Sequence, residues 1–244
     1  MDNQHIPVLY NDSNICHFIS LVQCLYNVKI FVDKLIHSKN NDIKSLFLLS
    51  YKNKSNCLNP RNIVKEFQLS TDQEDIFETL QNVITYIINK NHNKINIIQN
   101  KKLMYIPLYV KAYNNWKQYL ENKHCNIVHN LLSYQQINTL YLYNSNNSNN
   151  SNNKKYNFES MYYLSIAING NSLKNCLNYY FKTDKINYDN NVYLSKPKLW
   201  TLPKILIIQL KRFNNDSSKI YTNIDIPMHI DIGKYMYNKT SKIM

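Results

Sequence analysis

Cys16 stands in "YNDSNICHFISLVQCL", at the head of an apolar-periodic run and five residues after Asn11. A thiol in that place has two readings. In the first turn of a helix, unpaired backbone N–H groups and the positive end of the dipole favour the thiolate, which is the attacking form. On an apolar run, a cysteine is equally a small core hydrophobe, because free cysteine is among the most buried residue types. A second polar set, Gln73, Asp75 and Glu78, lies in "STDQEDIFETLQNVITYIINK". Acids in a first helical turn are favoured by the dipole without any substrate, and carboxylates there also accept charge-assisted hydrogen bonds from arginine.

The elements that must position these groups follow from hydrophobic spacing. In "ICHFISLVQCLYNVKIFVDKLI", Phe18, Leu21, Val22, Leu25, Val28, Phe31 and Val32 recur at three and four, which predicts a helix buried on one side. "NNDIKSLFLLSYKN" predicts a short second helix. "NPRNIVKEF" predicts a third, with Asn59 as cap and Pro60 at the first helical position. A fourth is expected with Thr71 as cap, Glu74 three residues on, and Ile76, Leu80, Val83, Ile84 and Ile87 as its stripe. After residue 95 the pattern changes to short β-branched and aromatic runs. "LMYIPLYV", "INTLYLY", "MYYLSIAI", "NVYL", "KILIIQLKRF" and "NIDIPMHIDI" are the predicted strands. The tract "NSNNSNNSNN" at 144–153 has nothing to bury and reads as a disordered loop between two strands.

Composition bounds the remaining classes. The 244 residues are 44% hydrophobic and 13% aromatic, enough for a sizeable core. No run of eighteen apolar residues occurs and "MDNQHIPVLY" lacks the shape of a secretory signal, so a soluble protein of the cytoplasm or nucleus is expected, with no membrane contact. The five cysteines, Cys16, Cys24, Cys57, Cys125 and Cys176, contain no C-x-x-C pair. Reduced thiols are expected, with no metal and no other cofactor. The net charge of +13 would suit nucleic acid if the lysines were gathered. Along the sequence they are dispersed among asparagine, isoleucine and tyrosine, so nucleic acid is not expected as a partner.

Four segments in order resemble the ubiquitin-specific protease family of cysteine deubiquitinases. Asn11, Cys16, Ser20, Gln23 and Leu25 match its cysteine box. "QEDIFETL" is similar to its "QQDAxEFL", with Gln73, Asp75 and Glu78 in register. "AYNNWKQYLENKHCNIVHNLL" matches the segment that precedes the fingers. "FESMYYLSIAI" and "LPKILIIQLKRFNNDSSKIYTNIDIP" match its "LSL" and "KRF" strands. The resemblance implies an α+β, papain-like fold with a helical thumb, β fingers and an antiparallel palm. It implies a single domain over 1–244, with the thumb at 1–95, and the fingers and a partial palm at 96–244.

The implied activity is thiol-dependent hydrolysis after the C-terminal glycine of ubiquitin, with ubiquitin and ubiquitinated proteins as partners. Cys16 would attack, and the Asn11 amide would donate to the oxyanion, although in "YNDSN" it is also an ordinary turn residue. Gln73, Asp75 and Glu78 would line the groove for the arginine-bearing ubiquitin tail. The family's base is a histidine in a box beyond the "KRF" segment, and here the seven histidines fall in segments that align elsewhere. The expectation is therefore a chain truncated in its palm, or else a catalytically inactive ubiquitin-binding or scaffold protein, of the kind found in RNA-processing assemblies. Ser13 stands where the family has glycine, and the zinc-binding cysteine pairs of its fingers are replaced by "INTLYLY" and "NNVYLSK".

Overall fold

The computed structural model describes residues 8–11, 14–37, 60, 64–65, 75–90, 106–122, 126–143, 154–188, 190–214 and 216–237. Along the chain run α1 (Cys16–Tyr26), α2 (Lys29–Ile36), α3 (Ile76–Lys90), α4 (Pro107–Asn122), α5 (Asn126–Leu131), β1 (Tyr134–Leu142), β2 (Lys154–Met161), β3 (Leu164–Ala167), α6 (Leu173–Tyr180), β4 (Asp184–Tyr188), β5 (Asn191–Leu199) and β6 (Ile208–Lys211). They fall into two units. One comprises Met1–Ile95 with Lys123–Leu131, and the other Asn96–Asn122 with Leu132–Met244.

The first unit is helical among its described residues. α1 buries Phe18, Leu21, Val22 and Leu25, α2 buries Phe31, Val32 and Leu35, and α3 buries Leu80, Val83, Ile84, Ile87 and Ile88. α1 touches α2 and α3, and α5 touches the same two, so the four helices close a circuit around these stripes. Each fully buried large apolar side chain contributes about 1.5–3 kcal/mol. The run expected as one helix from Ile15 to Ile36 breaks in two at Asn27, whose Nδ2 donates to the Gln23 carbonyl at 2.8 Å and caps α1. Ile76, expected in the buried stripe, is 45% exposed because it opens α3 instead of lying one turn inside it. The second expected helix lies outside the described residues. Of the third, only Pro60, Val64 and Lys65 are described; the Val64 N–H donates to the Pro60 carbonyl at 3.0 Å, one helical turn.

The second unit holds a four-stranded antiparallel sheet in the order β2-β1-β5-β4. α4 covers one end of it, with Tyr109 and Ala112 packed on Ile137, Phe158 and Trp200. This corrects the strand expected over "LMYIPLYV": residues 107–110 begin α4, where Pro107 sits at a position that uses no N–H. Buried polar groups tie the helix down. Gln135 Nε2 donates to the Ala112 carbonyl at 2.9 Å and to Asn115 Oδ1 at 3.0 Å, and Asn115 Nδ2 donates to the Phe158 carbonyl at 3.0 Å.

β3 and β6 form a separate pair, and here the expected antiparallel palm is a parallel ladder, Leu164↔Ile208 to Ala167↔Lys211. A parallel pair needs a long crossover, and residues 168–207 supply it. The crossover carries α6, a helix not anticipated, capped by Ser172, whose Oγ accepts the Asn175 N–H at 3.2 Å. Leu173, Cys176 and Leu177 of α6 bury against Leu164 and Ile166 of β3, together with Tyr134, Phe181, Leu199 and Tyr235. β4 was likewise not anticipated. "NIDIPMHIDI" is not a ladder strand: only Asp225 bridges, to Ser172, and Ile226 and Met228 stand 64% and 93% exposed around Pro227, which has no N–H to donate. The tract 144–153 lies outside the described residues. Among the described residues, no helix is long and apolar enough to cross a membrane.

Candidate active site

Cys16 is the first residue of α1 and is exposed, while Ile15 before it and Phe18 after it are buried. The core-cysteine reading therefore fails on position. α1 turns its apolar face inward from Ile15 onward and leaves the thiol on the outer side of its opening turn. The N-cap residue Ile15 offers no side-chain acceptor, and no acid stands in the first turn. The opening N–H groups of α1 thus meet no side-chain cap from Ile15, as an anion-receiving helix terminus requires. His17 is buried and turns away from the exposed cysteine into the helical core. Exposure alone does not single out Cys16, because Cys24 is exposed on the same helix, two turns in. The terminus distinguishes them.

Asn11 is exposed in non-helical backbone ahead of α1, and Ser13 lies outside the described residues. Asp75 is the N-terminal cap of α3: its Oδ1 accepts the Phe77 N–H at 2.6 Å, and its carbonyl accepts from the Thr79 N–H and Oγ1, both at 3.2 Å. The cap expected at Thr71 and Glu74 falls outside the described residues, as does Gln73. Glu78 is exposed in the first turn of α3. Because α1 and α3 pack together, one helical unit carries Cys16, Asp75 and Glu78, each on an exposed helix start. The described histidines of this unit are His17, exposed His37 and half-buried His129, and burial pulls His129 below the ordinary imidazole range.

In the second unit, the "KRF" segment forms the end of β6 and a tight hairpin. Arg212 Nη1 donates to the Ile220 carbonyl at 3.2 Å and to the Thr222 carbonyl at 3.0 Å, and the Ile220 N–H returns a bond to the Arg212 carbonyl at 2.7 Å. Asp216 Oδ1 accepts from Ser218 Oγ and N–H at 2.6 and 2.9 Å, and those bonds hold its carboxyl below the usual range. Ala167, Ile168, Lys211 and Phe213 line a groove beside this hairpin. His229 is exposed.

The family model of the ubiquitin carboxyl-terminal hydrolases matches residues 8–244. The chain belongs to that family. Its fold is shared with a chain of the solved Ubp8-Sgf11-Sgf73-Sus1 SAGA DUB module, at a TM-score of 0.65 and 19% identity. That match takes in 96% of this hydrolase-family chain and 53% of the other, so the chain spans about half the length of the structure it matches. The α+β class is as expected, with helices before the sheet, although α4 and α5 extend the helical run to residue 131.

Proposed function

We propose that this chain carries the nucleophile of a thiol-dependent deubiquitinase. In the reaction, the Cys16 sulfur bonds to the carbonyl carbon of the C-terminal glycine of ubiquitin, and the C–N bond to the leaving amine breaks. A thioester results, and water then hydrolyses it. The thiol proton passes to a base and on to the departing amine. Asn11 is assigned the oxyanion donor, a role worth about 3–4 kcal/mol for a single group. Gln73, Asp75 and Glu78 are assigned to the groove for the basic ubiquitin tail, acting in the reducing nucleus or cytoplasm. The observation that carries this reading is the exposed thiol at the opening position of a helix whose other face is core.

The test is capture of ubiquitin bearing a C-terminal electrophile, which reports on the thiol without requiring turnover. A covalent adduct at Cys16, lost in Cys16→Ser and retained in Cys24→Ser, is the expected result. Binding of ubiquitin with no adduct would convert the reading to a non-hydrolytic ubiquitin binder.

A further inference from the structure

Lysines that are scattered along the chain are collected by the sheet. Residues paired across strands share a face, and Tyr141 is paired with Lys154 and Leu194, the latter with Lys185. One rung toward α4, Thr139 is paired with Tyr156 and Lys196; one further, Ile137 is paired with Phe158 and Lys198. α4 covers the Ile137 end, and beyond it this face carries Lys154, Lys185 and Lys196, all exposed. Two of the ammonium groups lie over tyrosines of the same face, Lys154 at 5.4 Å from the Tyr141 centroid and Lys185 at 4.1 Å from that of Tyr143. No Asp or Glu stands on this face among the described strand residues. The opposite face differs, since Glu159 and Asp184 occur there beside Lys155. Lys198, at the covered end of the same face, has its ammonium pulled below the ordinary lysine range by burial first and by neighbouring Lys196 second.

We propose that the outer half of this sheet face binds single-stranded nucleic acid. The lysines meet phosphates, and the half-exposed Tyr141 and Tyr143 rings offer stacking surface to bases. An acidic protein would satisfy the lysines but would leave the Tyr141 and Tyr143 rings unused, and rings set beside ammonium groups favour a ligand that carries bases beside phosphates. The two macromolecular classes are separable by experiment.

The full chain is titrated against a labelled twenty-nucleotide oligouridylate at rising KCl, with polyglutamate of equal length as the competing probe. Binding is expected to weaken with salt, and Lys185→Gln/Lys196→Gln is expected to reduce the log–log slope by about 1.4, at about 0.7 per single-strand phosphate contact. Lys155→Gln, on the other face, is expected to leave the slope unchanged. Tyr143→Ala, at a residue 41% exposed and so tolerant of truncation, is expected to weaken the oligouridylate about tenfold and polyglutamate not at all. Circular dichroism confirms that each variant is folded. Equal affinity for the two probes with no tyrosine effect would assign the face to an acidic protein and overturn the proposal. So would an equal slope change in Lys155→Gln, which would mean diffuse charge, or an absence of binding.

Discussion

The helical unit and the sheet unit present chemistry in opposite ways. In the first, the thiol and the two described carboxylates sit at helix starts: Cys16 opens α1, and Asp75 and Glu78 open α3, with a buried apolar stripe behind them. A helix start exposes one or two side chains beside free N–H groups, which suits a single reacting atom. In the second, strands side by side gather one residue type onto a face, with Lys154 and Lys185 on the two edge strands of one rung and Lys196 on the next rung. A ladder suits an extended, repetitive ligand. The comparison teaches that point chemistry and surface chemistry are separated between units, and each should be lost by its own mutations.

The largest effect expected is all or none. Cys16→Ser should abolish capture of electrophilic ubiquitin while changing stability by no more than about 0.5 kcal/mol, because the side chain is exposed. A melt lowered well beyond that would show that the thiol is part of the core after all. Next come the cores themselves. Phe18→Ala removes a side chain with no exposure and should cost the helical unit about 3–5 kcal/mol, and Leu177→Ala should cost the sheet unit about 2–5 kcal/mol. Both tryptophans, Trp116 and Trp200, lie in the sheet unit, so their fluorescence should track Leu177→Ala, and far-UV dichroism should weight Phe18→Ala. Identical shifts in both signals for both variants would break the comparison.

How much of this was legible in the sequence follows the same division. Helical spacing lies within one contiguous run, so the stripes of α1 and α3 and the terminal position of Cys16 could be read directly. The errors there were local: Asn27 ended α1 early with its own amide, and Asp75 took the cap of α3, which moved Ile76 to the surface. Sheet faces are assembled from residues far apart, and only the register shows that Lys154, Lys185 and Lys196 share one face, so a distribution dispersed along the sequence concealed a common one. α6 carried an unread signal in Ser172 followed by Leu173, Cys176 and Leu177 at helical spacing. α4 carried another, since Pro107 ahead of Ala112, Trp116 and Leu120 marks a helix start and not a strand interior.

A smaller effect separates two roles of one carboxylate. Asp75→Ala removes the acceptor for the Phe77 N–H and should cost about 1 kcal/mol, whereas Asp75→Asn keeps a good cap and should cost only a few tenths. If Asp75 only caps, electrophilic ubiquitin should label the Asn variant at the wild-type rate. A labelling rate that falls in Asp75→Asn while the melt stays put would place the charge in the ubiquitin-tail groove.

The smallest effect expected is a pH dependence that differs in sign between the units. His129 in the helical unit is pulled below the ordinary imidazole value by burial, so the unfolded chain binds the proton first on acidification. Stability is then full above about pH 6.5 and falls as pH drops through the window below it. In the sheet unit, burial pushes Tyr134, Tyr162 and Tyr180 above the ordinary phenol value, and Tyr237 is raised by burial and by Tyr156 and Tyr141. There the unfolded chain gives up protons first, so stability is full below about pH 10 and falls above it. Melts at pH 7.5, 5.0 and 10.5 should therefore move dichroism more on the acid side and tryptophan fluorescence more on the alkaline side. Holding the acid limit at pH 5.0 keeps Asp216, whose carboxyl titrates below the usual range, charged throughout. His129→Gln should flatten the acid limb alone. An acid limb that survives this substitution would mean that another group, and not the half-buried imidazole of α5, sets the acid sensitivity of the helical unit.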